Sequence, residues 1–137
     1  MIKSDSQRER TAAQIEGFRR ALATAAAQEK PGKRSAALRG SYENMIRQLE
    51  DELHDYDELK AGRLALPPLQ RIDQIAPFIA RIRIAKGMSQ TELARRLGVS
   101  KQVISRYEEA DYQTAAVGRL QEILDAIGVR TAVTLSA

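Results

Sequence analysis

QTELARRLGVSKQVISRY, residues 90–107, decides the fold of this chain, because its side-chain sizes fit two short helices that cross at a tight turn. Ser89 and Ser100 each stand immediately before a helical pattern, where a hydroxyl can accept a hydrogen bond from the unpaired amides of a first turn. The apolar set Leu93, Leu97, Val99, Ile104 and Tyr107 faces inward from both helices, and Ala94 is small where the second helix has to pass close by. Gly98 sits where the first helix must stop, a position that calls for a positive φ, which glycine adopts without steric penalty. That leaves Lys101, Gln102, Ser105 and Arg106 on the outer face of the second helix. Such side chains suit the edges of base pairs: glutamine can pair bidentately with adenine, arginine or lysine with guanine. An ordinary helical hairpin with a polar outer face would need the small residue, the glycine and both caps to coincide by accident.

Over about residues 75–128, from FIARIRIAKGMSQTELARRLGVSKQVISRYEE through TAAVGRLQEILDAIGV, the chain resembles the lambda-repressor-like, or Xre, family of helix-turn-helix regulators. The resemblance implies that Lys101, Gln102 and Arg106 occupy base-reading positions in the major groove, and that Gln90 braces the first readout helix on phosphate and on the recognition helix. It also implies a partly buried salt bridge between Arg83 and Glu108. Lys86, Gln90, Arg95 and the helix start at Ser100 are the expected phosphate contacts that fix the register. The family pattern is broken after the recognition helix, where Glu109 and Asp111 bring acidic groups that would face phosphate unfavourably.

Charge agrees with that placement. The net charge is +4 over 137 residues, but seven cations (Arg81, Arg83, Lys86, Arg95, Arg96, Lys101, Arg106) meet only Glu92 between Arg81 and Arg106. Aromatic residues make up only 4% of the chain, which limits the size of any single core. With no cysteine, neither a disulfide framework nor a thiolate metal site can form. The N-terminal MIKSDSQRERTAAQIEG lacks the apolar core of a signal peptide, and no run approaches the roughly 18 apolar residues of a membrane span, so a cytoplasmic protein with no membrane partner is expected.

The predicted organisation is all-α: a helical hairpin over residues 1–63, a proline-containing linker over 64–70, a helix-turn-helix domain over 71–128 and a short C-terminal β-strand over 129–137. In the first hairpin helix Ile15, Phe18, Leu22 and Ala25 recur at spacings of three and four, until Lys30, Pro31, Gly32 and Lys33 break the pattern. In the second, Leu38, Tyr42, Met45, Ile46, Leu49, Leu53 and Tyr56 form a stripe of coiled-coil periodicity. A lone hairpin with such narrow stripes buries little, so the stripe is expected to pack on another copy or on the reader domain. Glu43, Glu50, Asp51, Glu52, Asp55, Asp57 and Glu58 make the second helix acidic, a solvated face rather than a track for phosphate. Pro67 and Pro68 mark the linker; Pro77 opens the reader's first helix, with Phe78, Ile79 and Ile82 as core and Gly87 at its end. Thr114 is the expected cap of the last helix, with Val117, Leu120, Ile123, Leu124 and Ile127 as its apolar face and Gly128 as its stop. The tail alternates, with Val129, Thr131, Val133 and Leu135 on one side, and a single strand of that kind needs a partner: it either pairs with its counterpart in another subunit, the first expectation, or frays.

Other function classes find less support. Glu50, His54 and Asp57 could share a helix face and invite a metal, yet no second histidine or cysteine completes a tetrahedral site. There is neither a glycine-rich phosphate loop nor a G-x-S-x-G elbow, and no cofactor or enzymatic activity is expected. A pure protein-interaction module would tolerate acidic or apolar residues where Lys101, Gln102 and Arg106 keep donors. The expectation is therefore a dimeric repressor of a double-stranded operator, with the longer and more apolar stripe Tyr42, Ile46, Leu49, Leu53, Tyr56 as the first candidate interface and the tail Val129 to Leu135 as the second. Xre-like antitoxins, which hold a toxin with one part and their operator with another, fit the same two-part layout.

Overall fold

Long helices form where helical periodicity runs on without proline. The structure, a computed structural model, describes residues 1–28 and 32–137, and its first two helices are α1 (Asp5–Gln28) and α2 (Lys33–Lys60). Ser4 starts α1 by accepting a hydrogen bond from the Gln7 amide at 3.2 Å. Of the expected break, Lys30 and Pro31 lie outside the described residues; Gly32 is a bend and Lys33 already begins α2.

The chain divides into two compact units, residues 1–57 and 58–137. In the first, α1 and α2 are antiparallel partners. Ile2, Ile15, Ile46 and Tyr56 are buried between them, and the Tyr56 hydroxyl donates to Asp5 at 2.7 Å. Phe18 and Tyr42 meet with ring centroids 6.0 Å apart. Arg8 grips Asp57 with two bonds of 2.6 and 2.8 Å, holding that carboxyl below the usual range, and Arg19 bonds to Glu50. The stripe is thus partly used inside the monomer: Ile46 and Tyr56 are buried, while Tyr42, Leu49 and Leu53 are half-buried. Leu38 and Met45 correct the expected pattern, being exposed. Met45 sits about 100° around the helix from Ile46, and α1 closes on the alanine-rich run at 21–27, whose short side chains cover little of Leu38's end of the hairpin.

The second unit begins with the last turn of α2 and the proline-containing stretch, from which Leu64 packs on the core. Two short 3₁₀ turns, Ile72–Gln74 and Ala76–Phe78, lead into α3 (Ile79–Ala85), so Pro77 lies in the turn just ahead of the helix it was expected to open. The remaining helices are α4 (Gln90–Leu97), α5 (Lys101–Glu109) and α6 (Val117–Ile127). One core joins them, built from Ile79, Ile82, Leu93, Ala94, Ile104, Tyr112, Ile123, Leu124 and Ile127 among others, with Leu97, Val99 and Tyr107 packed on its rim.

Three expectations need correction in this unit. The last helix starts at Val117 after Ala116 in extended conformation, with no side-chain cap, so Thr114 does not cap it. Its first residue, Val117, turns outward and is 66% exposed, because a helix beginning this late turns Leu120, Ile123, Leu124 and Ile127 to the core, with Ala126 at its rim. No strand forms among the described residues: only Val129 rests on the core, whereas Thr131, Val133 and Leu135 are exposed. Alternation sets which side chains share a side, but ladder formation needs a second edge, and the tail meets none among the described residues.

Candidate nucleic-acid interface

Both reader helices are set by their ends. Ser89 is extended and its hydroxyl accepts from the Glu92 amide at 3.0 Å, starting α4. Gly98 (φ 68, ψ 30) stops it in the left-handed region, giving its N–H to the carbonyls of Ala94 and Arg95 while Val99 N–H reaches Ala94 at 3.0 Å. Ser100 is extended in turn, but its hydroxyl makes no capping bond, a departure from the expected cap. The start of α5 is therefore held by backbone alone, with Ser100 exposed.

Behind α5 lies a buried polar knot. Arg83 is 2% exposed and Glu108 0%, so the pair expected to be partly buried is fully enclosed. Arg83 donates Nε and Nη2 to the two Glu108 oxygens at 2.9 and 2.6 Å, and Nη1 to the Met88 carbonyl at 2.6 Å. Gln90 adds Nε2 to Glu108 at 2.9 Å and the Tyr112 hydroxyl donates at 3.0 Å. Four donated hydrogens on one carboxylate, from α3, α4 and the loop after α5, fix the recognition helix to the elements on either side. No buried side-chain polar atom lacks a partner among the described residues. Burial, with the Glu108 charge beside it, pushes the Tyr112 phenol well above its ordinary value, so it stays a donor.

Tyr112 is the residue that sequence reasoning missed. Asp111 and Tyr112 both take positive φ, 48° and 57°, and Tyr112 stacks on Tyr107 at 5.7 Å. The only signal was one large aromatic in the polar run ADYQT.

The outer face of α5 presents the expected set. Lys101, Gln102 and Arg106 are exposed, their side chains make no hydrogen bond or ion pair among the described residues, and Ser105 is half-buried beside them. Lys86 is exposed at the end of α3. Gln90 is buried at the start of α4, with one amide hydrogen committed to Glu108. Arg95 is exposed but engaged: it holds Glu92 with bonds of 3.0 and 2.6 Å, and Arg96 adds a third at 3.0 Å. Chiefly through Arg95, then Arg96, the Glu92 carboxyl is held down at about 2. Arg96 also reaches the Ala126 carbonyl at 2.9 Å, tying α4 to the end of α6. The acidic departure stays at the surface: Glu109, the last residue of α5, and Asp111, in the turn after it, are both exposed.

Residues 79–133 match the family model described as helix-turn-helix. That segment is a helix-turn-helix domain of the lambda-repressor-like, or Xre, family. No curated protein and no solved structure matches the chain. The helix-turn-helix domain makes the chain a DNA-binding regulator. No helix among the described residues is long and apolar enough to cross a membrane, and no group of His, Cys, Asp or Glu there is arranged to hold a metal. Of the Glu50, His54, Asp57 set, Glu50 is engaged by Arg19 and Asp57 by Arg8.

Proposed function

We propose that the chain is a repressor that occupies an inverted-repeat operator as a homodimer, with α5 in the major groove. The observation that carries this is the contrast across α5: Lys101, Gln102 and Arg106 stand uncommitted on one side, while the other side is locked by the Glu108 knot. Donors held on a rigid helix are what base-edge recognition needs, because each misplaced donor forfeits a bond to water without replacing it. Gln102 and Arg106 set the sequence preference; Lys101 and Ser105 assist. Lys86, the α5 start at Ser100 and the remaining amide hydrogen of Gln90 take phosphates. Arg95 joins them by exchanging Glu92 for a phosphate oxygen, so its contribution is reduced by the ion pair it leaves.

One reader covers only a few base pairs, and linking two raises both affinity and selectivity. Tyr42, Ile46, Leu49, Leu53 and Tyr56 keep only part of their surface for a second copy, since two of them are buried in the hairpin. The tail, with Val133 66% and Leu135 90% exposed and its backbone unpaired, leaves more apolar surface uncovered, next to Ile72 and Val117. We assign the main dimer contact to this tail face.

The test is selection from a pool of random duplexes. The expected outcome is enrichment of an inverted repeat with half-sites about 10 base pairs apart or a multiple of it; binding that persists with no sequence enriched contradicts the proposal. An antitoxin role is the second reading, favoured by the N-terminal hairpin forming a unit separate from the reader. Its test is a stoichiometric complex between the full chain and the product of a neighbouring small reading frame.

A further inference from the structure

One apolar concavity in the second unit is left open by its own chain. Ile72 and Ile75, from the turns ahead of α3, form one wall, and Val117, Leu120 and Leu124 of α6 form the other. Its volume is about 140 Å³. An apolar void of about 150 Å³ holds a benzene molecule, so this one takes a single branched aliphatic side chain. The tail runs along its open side. Thr131 Oγ1 donates to Gln121 Oε1 at 3.2 Å, which pins the base of the tail, and Val133 borders the concavity without filling it, since it remains 66% exposed. Leu135, the next residue on that side of an extended chain, is 90% exposed, and Ile72 on the facing wall is 50% exposed. Residues 130–137 make no backbone-to-backbone hydrogen bond among the described residues. A seat and a side chain to fill it are both present, and a single chain does not join them.

The character of the two surfaces says what covers them. Residues 131–137 carry no charged side chain and the walls of the concavity are aliphatic, so the two can be buried together without desolvating an ion. Neither offers a charge to an acidic or basic partner. The unpaired tail backbone needs an extended edge beside it, and the tail of a second copy is such an edge, lacking the same bonds. Each tail leaves from the border of the concavity that it lines. One twofold axis beside Val133 therefore lays each tail across the other copy's concavity and runs the two antiparallel, the self-complementary arrangement that a symmetric dimer requires.

We infer that two copies exchange tails: Leu135 of each seats in the partner's concavity between Ile72 and Val117, and the two tail backbones pair across the axis. This rests on the reading of the tail face as the dimer contact and adds which side chain fills which seat. The experiment follows the full chain by analytical ultracentrifugation and by disulfide capture, the protein having no cysteine of its own. Leu135→Ala raises the dimer dissociation constant by about 100-fold, two anchors being lost per dimer, whereas Thr134→Ala, on the opposite side of the tail, leaves it nearly unchanged. A Val117→Cys, Leu135→Cys double variant, oxidised at a concentration where the wild type is dimeric, gives chains joined covalently in pairs, with position 135 of one linked to position 117 of the other by peptide mapping. Disulfides closed within single chains, links from position 135 to position 135, or an unchanged constant for Leu135→Ala each overturn the exchange while the dimer itself stands. A wild type that stays monomeric sinks the dimer reading, and the exchange with it.

Discussion

Glu108 has no exposed surface and accepts hydrogen bonds from Arg83, Gln90 and Tyr112, so its charge is tolerated only while all three are in place. Glu108→Ala strands the Arg83 guanidinium and should cost about 3 to 5 kcal/mol in urea melts; an unchanged midpoint would show that the pair is worth little. Tyr112 gives the knot a pH dependence. Its folded phenol keeps its proton above the ordinary value of 10, where unfolded phenols ionise, so stability is full below pH 10 and falls as pH rises beyond it. Melting temperatures followed across that range should drop less steeply in Tyr112→Phe than in the wild type; parallel profiles would contradict the buried donor. Arg83 and Glu108 could be paired from the family resemblance, because their spacing in the motif carries the pairing. Tyr112 could not, since nothing in ADYQT says that two consecutive residues take positive φ and swing an aromatic ring under the recognition helix.

Helix ends were legible where one residue type solves one steric problem. Gly98 is left-handed as expected, and open space around it means that an added Cβ meets strain alone. Gly98→Ala should therefore destabilise by about 1 to 2 kcal/mol, measured by urea melts, through backbone conformation alone. The two serines of the motif separate capping from binding. Ser89→Ala removes a real cap and should cost about 1 kcal/mol, whereas Ser100→Ala, with no cap bond to lose, should leave the melt unchanged and weaken DNA binding. A destabilised Ser100→Ala protein with normal affinity would reverse that division of labour. Thr114 and the tail were misread for a shared reason. Propensity and alternation are local, but where α6 begins depends on how the turn at Asp111 and Tyr112 delivers the chain, and a strand depends on an edge elsewhere.

At the scale of the whole molecule the all-α, two-part organisation follows from periodicity and proline placement, while assembly does not, because a sequence shows an apolar stripe without showing what already covers it. Ile46 and Tyr56 illustrate this, both spent within the hairpin. Light scattering should find a dimer at micromolar concentration that a chain ending at Gly128 fails to form, and that Leu49→Glu, Leu53→Glu retains; dissociation by the latter alone would move the interface to the hairpin. The central claim is that α5 reads sequence while its neighbours hold the backbone. It is tested most directly by measuring Gln102→Ala, Arg106→Ala and Lys86→Ala on the selected operator and on random duplex at one salt concentration. The account predicts that the first two lose about 1 to 3 kcal/mol on the operator and almost nothing on random DNA, while Lys86→Ala weakens both alike. Equal losses on operator and random duplex for Gln102→Ala and Arg106→Ala would contradict it.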